Sequence, residues 1–215
     1  MGIFSSTSDT AGVVDCHEAG GAMRTALLPQ FISQEAARTG DPMQSIQELS
    51  NRDSYSPHEL PLLLRQTLLL AGHRNWIVVA DAAYPYHAHP AVATVLSTGT
   101  IIDALNYLLP DIHSLPHLQP HFYLDRELSV LHESDTEGVT ALRHNLHRHL
   151  EDFQSLPHEE LLHKVNAAAH SYHVLVVKTS TLIPYSSVFI ELQCGYWNEQ
   201  AEAQLRSRLQ AIHPS

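Results

Sequence analysis

A histidine and an aspartate eight positions apart, His73 and Asp81, bracket the apolar run Trp76-Ile77-Val78-Val79-Ala80. Histidine has an ordinary pKa of ~6.5, so it takes and gives protons near neutrality. Aspartate orients an imidazole or accepts hydrogen bonds from ligand hydroxyls, and a charged hydrogen bond of that kind contributes ~1.5 to 3 kcal/mol. A third group, the Tyr185 phenol, donates or accepts next to another apolar run, Val188 to Leu192. Together these residues suit general acid/base chemistry, in which each positioned proton carrier accelerates a reaction by roughly 10²- to 10⁴-fold. Taken singly, each also has a plainer use. Asp81 can cap a turn, His73 can bind the last carbonyls of a helix, and Tyr185 can be an interface tyrosine.

The elements that must position them are legible around these residues. Ser56 caps a helix with Pro57 in its first position and Glu59 closing a capping box, and the helix runs through Leu60, Leu63, Leu64 and Leu68 until Gly72 stops it. Trp76 to Ala80 is short and rich in β-branched residues, which predicts a strand covered on both faces. A helix from about Ile101 to Leu109 follows Thr98 to Thr100, and Pro110, Pro116 and Pro120 exclude one helix through the next stretch. Phe122 to Leu131 reads as a strand, Gly138 to Phe153 and Pro157 to Ser171 as helices, Val174 to Val177 and Val188 to Leu192 as buried strands, and Glu199 to Ile212 as a polar-faced helix. Strands alternating with helices imply a layered α/β fold. Residues 1–53 form an arm outside the core, with a short amphipathic stretch at 31–37 broken by Gly40-Asp41-Pro42.

Bulk composition narrows the partners. The 215 residues suffice for one well-packed domain with tails, and an apolar fraction of 44% is ordinary. A formal charge of −11, with the 17 histidines neutral, repels nucleic acids and anionic membranes at long range. Those histidines make surface charge steep across pH 6 to 7, and solubility and assembly are expected to follow. Cys16 and Cys194 are too few for a disulfide framework, and no basic-then-apolar leader is evident, which favours the cytoplasm. No apolar run approaches the ~20 residues of a membrane span.

Two separated segments resemble the ribose pyranase and fucose mutarotase family, RbsD/FucU. The first runs from Leu60 to Pro85, with Gly72-His73, a strand and Asp81-Ala82. The second is Val176-Val177-Lys178-Thr179-Ser180-Thr181-Leu182-Ile183-Pro184-Tyr185-Ser186-Ser187-Val188, similar to the family's basic-Ser/Thr-Gly-Glu and Pro-Tyr-Ala-Asn before its last strand. The likeness spans roughly 54–197, leaving 198–215 as an added C-terminal helix. Ser180 stands where the family has Gly, Thr181 where it has Glu, and Ser187 where it has Asn, which bears on a turn, on a sugar contact and on activity.

The resemblance implies a three-layer α/β/α domain with a mixed, largely parallel sheet. It also implies a cofactor-free isomerase acting on a free monosaccharide, ribose- or fucose-like. His73, Asp81 and Tyr185 are then the catalytic candidates, with Lys178 and Ser187 as substrate contacts. Homo-oligomers are implied as well, octamers or decamers built from stacked rings with sites near subunit contacts. One alternative is a non-catalytic sugar-binding or structural paralogue. Another is a metal protein using His87 and His89, the set His113, His117 and His121, or the set His144, His147 and His149. None of those sets has a convincing ligand frame, and solvated surface histidines are the expectation.

Overall fold

The computed structural model describes residues 59–212. The N-terminal arm at 1–53 and the Ser56-Pro57 helix start lie outside the described residues.

In chain order the elements are α1 (Glu59–Leu70), β1 (Trp76–Ala80), β2 (Val92–Leu96), α2 (Ile101–His113), β3 (Leu118–Asp125), a 3-10 turn (Arg126–Val130), α3 (Val139–His149), β4 (Gln154–Leu156), α4 (His158–Ala169), β5 (Val174–Lys178), β6 (Val188–Cys194) and α5 (Glu199–Ile212). The strands form one sheet in the order β2-β5-β1-β6-β3-β4. β1 pairs in parallel with β5, as does β2, while β6 lies antiparallel between β1 and β3, and β4 joins β3 in parallel. All strands except β6 therefore point one way, which gives the mixed, largely parallel sheet expected.

Side-chain alternation splits β1 and its neighbours between two cores. Ile77, Val79, Leu175, Val177 and Ile190 face α1, α2 and α3. Trp76, Val78, Val176 and Phe189 face Leu161, Val165 and Ala169 of α4 on the other side. Helices on both faces make three layers, and burial of β1 throughout explains its uninterrupted apolar sequence.

Several boundaries differ from the sequence expectation, and α3 ends at His149, short of the expected Phe153, with β4 following. α2 continues through Pro110 to His113, because burying Leu109 and Ile112 contributes roughly 1.5 to 3 kcal/mol each and offsets the one intrahelical bond that proline cannot donate. β3 starts at Leu118 and ends at Asp125, where the 3-10 turn replaces the expected continuation to Leu131. Pro120 is tolerated because β4 pairs with β3 only at Tyr123, Leu124 and Asp125, so β3 is an edge on that side at Pro120. β2 and β4 are additional strands at the two edges of the sheet, β2 half-buried. No helix among the described residues is long and apolar enough to cross a membrane.

Candidate active site

Because β6 alone runs backwards, its first residues lie beside the carboxyl ends of β1 and β3, at the edge where β5 also ends. Open α/β sheets bind ligands outside that edge. Asp81 leaves β1 there with its carboxylate nearly buried. Its Oδ1 accepts the Ala83 N–H at 2.8 Å, forming a tight turn, and its Oδ2 accepts the Ser187 hydroxyl at 2.9 Å. Ser187, fully buried at the head of β6, also takes the Asp81 backbone N–H at 3.2 Å. The serine is thus committed to holding the aspartate. Lys178, at the end of β5, donates to the Tyr84 carbonyl at 2.8 Å and clamps the loop that follows Asp81.

Tyr185 occupies the turn before β6 with φ +57, a left-handed conformation for a residue that has a Cβ. Such a conformation costs on the order of 1–3 kcal/mol and persists only where surroundings enforce it, often at functional sites. The residue is 38% exposed, and its ring and the His158 imidazole meet edge-on, with centroids 5.3 Å apart.

Sequence reasoning missed Asp125 and, above all, His158. It opens α4, where its backbone N–H donates to both Glu127 oxygens at 3.2 and 3.1 Å. Its Nδ1 lies 3.0 Å from Oδ1 of Asp125, the last residue of β3. The Asp125 side chain has no exposure, whereas the imidazole keeps 26%. Burial pushes the Asp125 carboxyl up to about 6, His158 pulls it down, and Glu127 and Asp81 push it further up. Tyr84, buried under the same edge, has its phenol raised by burial and by the negative charge of Asp125 and Asp81. Two carboxylates, an imidazole and two phenols therefore share one neighbourhood. A partial signal was present, since Pro157-His158-Glu159-Glu160 starts a helix, but its link to Asp125 spans 33 residues.

His73 is not part of this group. It is exposed in the turn before β1, at the opposite edge of the sheet. The five strand residues alone span roughly 16 Å at ~3.3 Å each, so Asp81 does not orient the His73 imidazole of its own chain. The turn is strained, with Arg74 at φ +74, and is closed by Gly72 N–H to Asn75 Oδ1 at 2.8 Å.

The sequence model of the RbsD / FucU transport protein family matches residues 60–195. The chain belongs to that family. No curated protein matches it. Among solved structures it is similar to Bacillus subtilis RbsD complexed with D-ribose, at 18% identity, TM-score 0.45, covering 63% of this chain and 92% of that one. It is also similar to the Streptococcus pneumoniae fucose mutarotase in complex with L-fucose, at 19% identity, TM-score 0.41, covering 66% and 94%. FucU from Bifidobacterium longum follows at 16% identity and TM-score 0.41, covering 67% and 97%.

Two of this chain's departures from the RbsD/FucU pattern have local structural roles. Ser180, where the family has Gly, is not among the positive-φ residues, so no glycine-only conformation is needed there. Its hydroxyl donates to the Gly99 carbonyl at 3.0 Å. Thr181 Oγ1 accepts the Ile101 N–H at 3.0 Å, adding to the Thr100–Asp103 capping box at the start of α2. Both side chains serve the junction between β2 and α2.

The histidine sets are dispersed. His149 bonds the Asn145 carbonyl at 2.8 Å and Asn106 Oδ1 at 3.0 Å, His147 packs beside Phe153, and His121 stacks on Tyr123. His89 Nδ1 accepts the Ala91 N–H at 3.2 Å. Among the described residues no group of three or more His, Cys, Asp or Glu is placed to hold a metal ion.

Proposed function

We propose that this RbsD/FucU member interconverts the ring forms or anomers of a free monosaccharide, ribose- or fucose-like, by general acid/base catalysis without a cofactor. The observation that carries the reading is the convergence of His158, backed by a buried carboxylate, with Asp81 and Tyr185 at the carboxyl edge of the sheet. Ring opening removes the proton of the anomeric hydroxyl and delivers one to the ring oxygen as its bond to the anomeric carbon breaks. The product is the open-chain aldehyde. Reclosure on the other face, or through another hydroxyl, reverses the steps. In this reading His158 takes the first proton, Tyr185 holds the ring oxygen, and Asp81 accepts from sugar hydroxyls with the lone pairs that Ala83 and Ser187 leave free. Lys178 and Ser187 act by fixing the loop and the aspartate.

His73 enters as the second proton carrier from another copy of the chain. Its exposure and its distance from its own Asp81 support that placement, in line with the ring assembly that the resemblance implies.

Exchange NMR on D-ribose, L-fucose, D-galactose and D-glucose tests the reading, with wild type beside His158→Ala. One sugar is expected to exchange faster with wild type and to lose at least about 10²-fold of that acceleration in the variant. A sugar that binds with no faster exchange selects the non-catalytic binding paralogue, a reading favoured by Ser187 being engaged with Asp81. Absence of binding by every sugar overturns both.

A further inference from the structure

We propose that Asp125 is a positioning residue that holds the His158 imidazole in its Nδ1–H tautomer, so that Nε2 carries the lone pair that takes a proton. The inference rests on the acid/base reading above and adds to it the group that sets which nitrogen does the work.

The geometry around His158 leaves its ring little choice. Its backbone is pinned at the first position of α4 by two hydrogen bonds to Glu127. Asp125 Oδ1 lies 3.0 Å from Nδ1, and the edge-on Tyr185 ring limits rotation. A carboxylate offers only acceptor atoms, so the contact requires Nδ1 to carry the proton, and Nε2 is then bare in the neutral imidazole. Asp125 is itself rigid, at the point where β3 is paired on both sides, Asp125 with Leu156 and Leu124 with Val188. When Nε2 takes a proton from a substrate, the buried negative charge stabilises the imidazolium without reorganisation, as in other Asp–His pairs.

The second Asp125 oxygen distinguishes this from a tie between helix and sheet. Oδ2 is buried with no hydrogen-bond partner, and so is the Tyr84 hydroxyl nearby. A carboxylate serving only to anchor α4 gains nothing from leaving one buried oxygen unpaired by the protein, because burying an unpaired acceptor is unfavourable. Where that carboxylate is ionised, low local dielectric strengthens its interaction with the one imidazole it faces.

The test combines ¹⁵N–¹H correlation of the His158 ring with exchange kinetics, in the full chain, for Asp125→Ala, Asp125→Asn, His158→Ala and the Asp125→Ala/His158→Ala pair. Wild type is expected to show protonated Nδ1 and unprotonated Nε2, with the Nε2–H form becoming populated in Asp125→Ala. Exchange of the accepted sugar is expected to slow at least about 10²-fold while its affinity stays within about threefold, and the double variant is expected to be no slower than His158→Ala alone. Should Asp125→Ala fold poorly, Asp125→Asn is read by its exchange rate, which falls because a neutral amide does not stabilise the imidazolium, whichever tautomer it holds. An unchanged tautomer in Asp125→Ala, an undiminished rate in Asp125→Asn, or losses that multiply in the double variant, overturns the proposal. If wild type accelerates no sugar, the functional reading fails, and the tautomer of His158 still judges Asp125.

Discussion

Tyr185 and Asp125 are both held in states that a stability-optimised chain would avoid. At φ +57 the tyrosine loses a left-handed strain of about 1 kcal/mol or more when replaced by glycine, and its partly exposed ring forfeits little burial. Tyr185→Gly is therefore expected to match or exceed wild type in urea denaturation while slowing sugar exchange at least about 10²-fold. A loss of stability above about 1 kcal/mol would show that the turn is not strained. Asp125 gives a pH signature of fixed sign. Its folded-state pKa of about 6 lies above the ordinary carboxylate value, because burial outweighs the attraction of His158 and is reinforced by Glu127 and Asp81. The folded state thus holds this proton longer than the unfolded chain. The stabilisation is complete below about pH 4 and is lost as pH rises through 6, amounting to about 3 kcal/mol for a shift of about two units. Wild type is expected to lose about 2 kcal/mol relative to Asp125→Asn between pH 4.5 and 7.5 in denaturant titrations, with groups remote from Asp125 cancelling in the comparison. Parallel pH profiles for the two proteins would mean that Asp125 is not penalised by burial.

At the scale of elements, the sequence was most readable where a single local rule governs. Trp76–Ala80 and Glu199–Ile212 have the expected limits, since one is a continuous apolar run and the other a polar helix ending the described chain. β2 was illegible because a half-buried edge strand carries no firm alternation, and α2 was shortened because the prohibition on proline was weighed without the burial of Ile112. The site divides in the same way. Asp81, Tyr185 and Ser187 flank strands and stand out in the sequence, whereas Asp125 and His158 acquire their relation only when β3 and α4 meet. The departure at Thr181 gains a physical meaning at this scale. Its hydroxyl accepts the first N–H of α2, so Thr181→Val, which keeps the shape and removes the acceptor, is expected to lower stability by about 0.5–2 kcal/mol. Sugar exchange, if the site lies with Asp81 and His158, is expected to stay within about twofold at temperatures where the variant is folded, since a part-buried helix cap contributes far less than the 10²-fold of a proton carrier. A large kinetic loss with unchanged stability would move Thr181 from the helix cap into the site.

For the whole molecule, the placement of His73 and Asp81 at opposite edges of one sheet decides how a site using both must be built. Within one chain the strand between them keeps them apart. Between copies, the amino edge of one chain can approach the carboxyl edge of another. Exposed apolar residues at Leu62, Leu69 and Leu70 of α1, and at Leu205, Leu209 and Ile212 of α5, give such copies surface to bury. Mixing two inactive variants tests this arrangement. His73→Ala and His158→Ala, each expected to slow exchange at least about 10²-fold, are co-expressed so that their subunits assemble at random. If each site takes His73 from one copy and His158 from another, the chance that both residues are intact at a site is one half for each, and about a quarter of wild-type activity returns. If both residues act within a single chain, no intact site forms and the mixture stays as slow as its components. A wild-type rate in His73→Ala alone would remove His73 from the reaction altogether and leave His158, Asp81 and Tyr185 to carry both proton transfers.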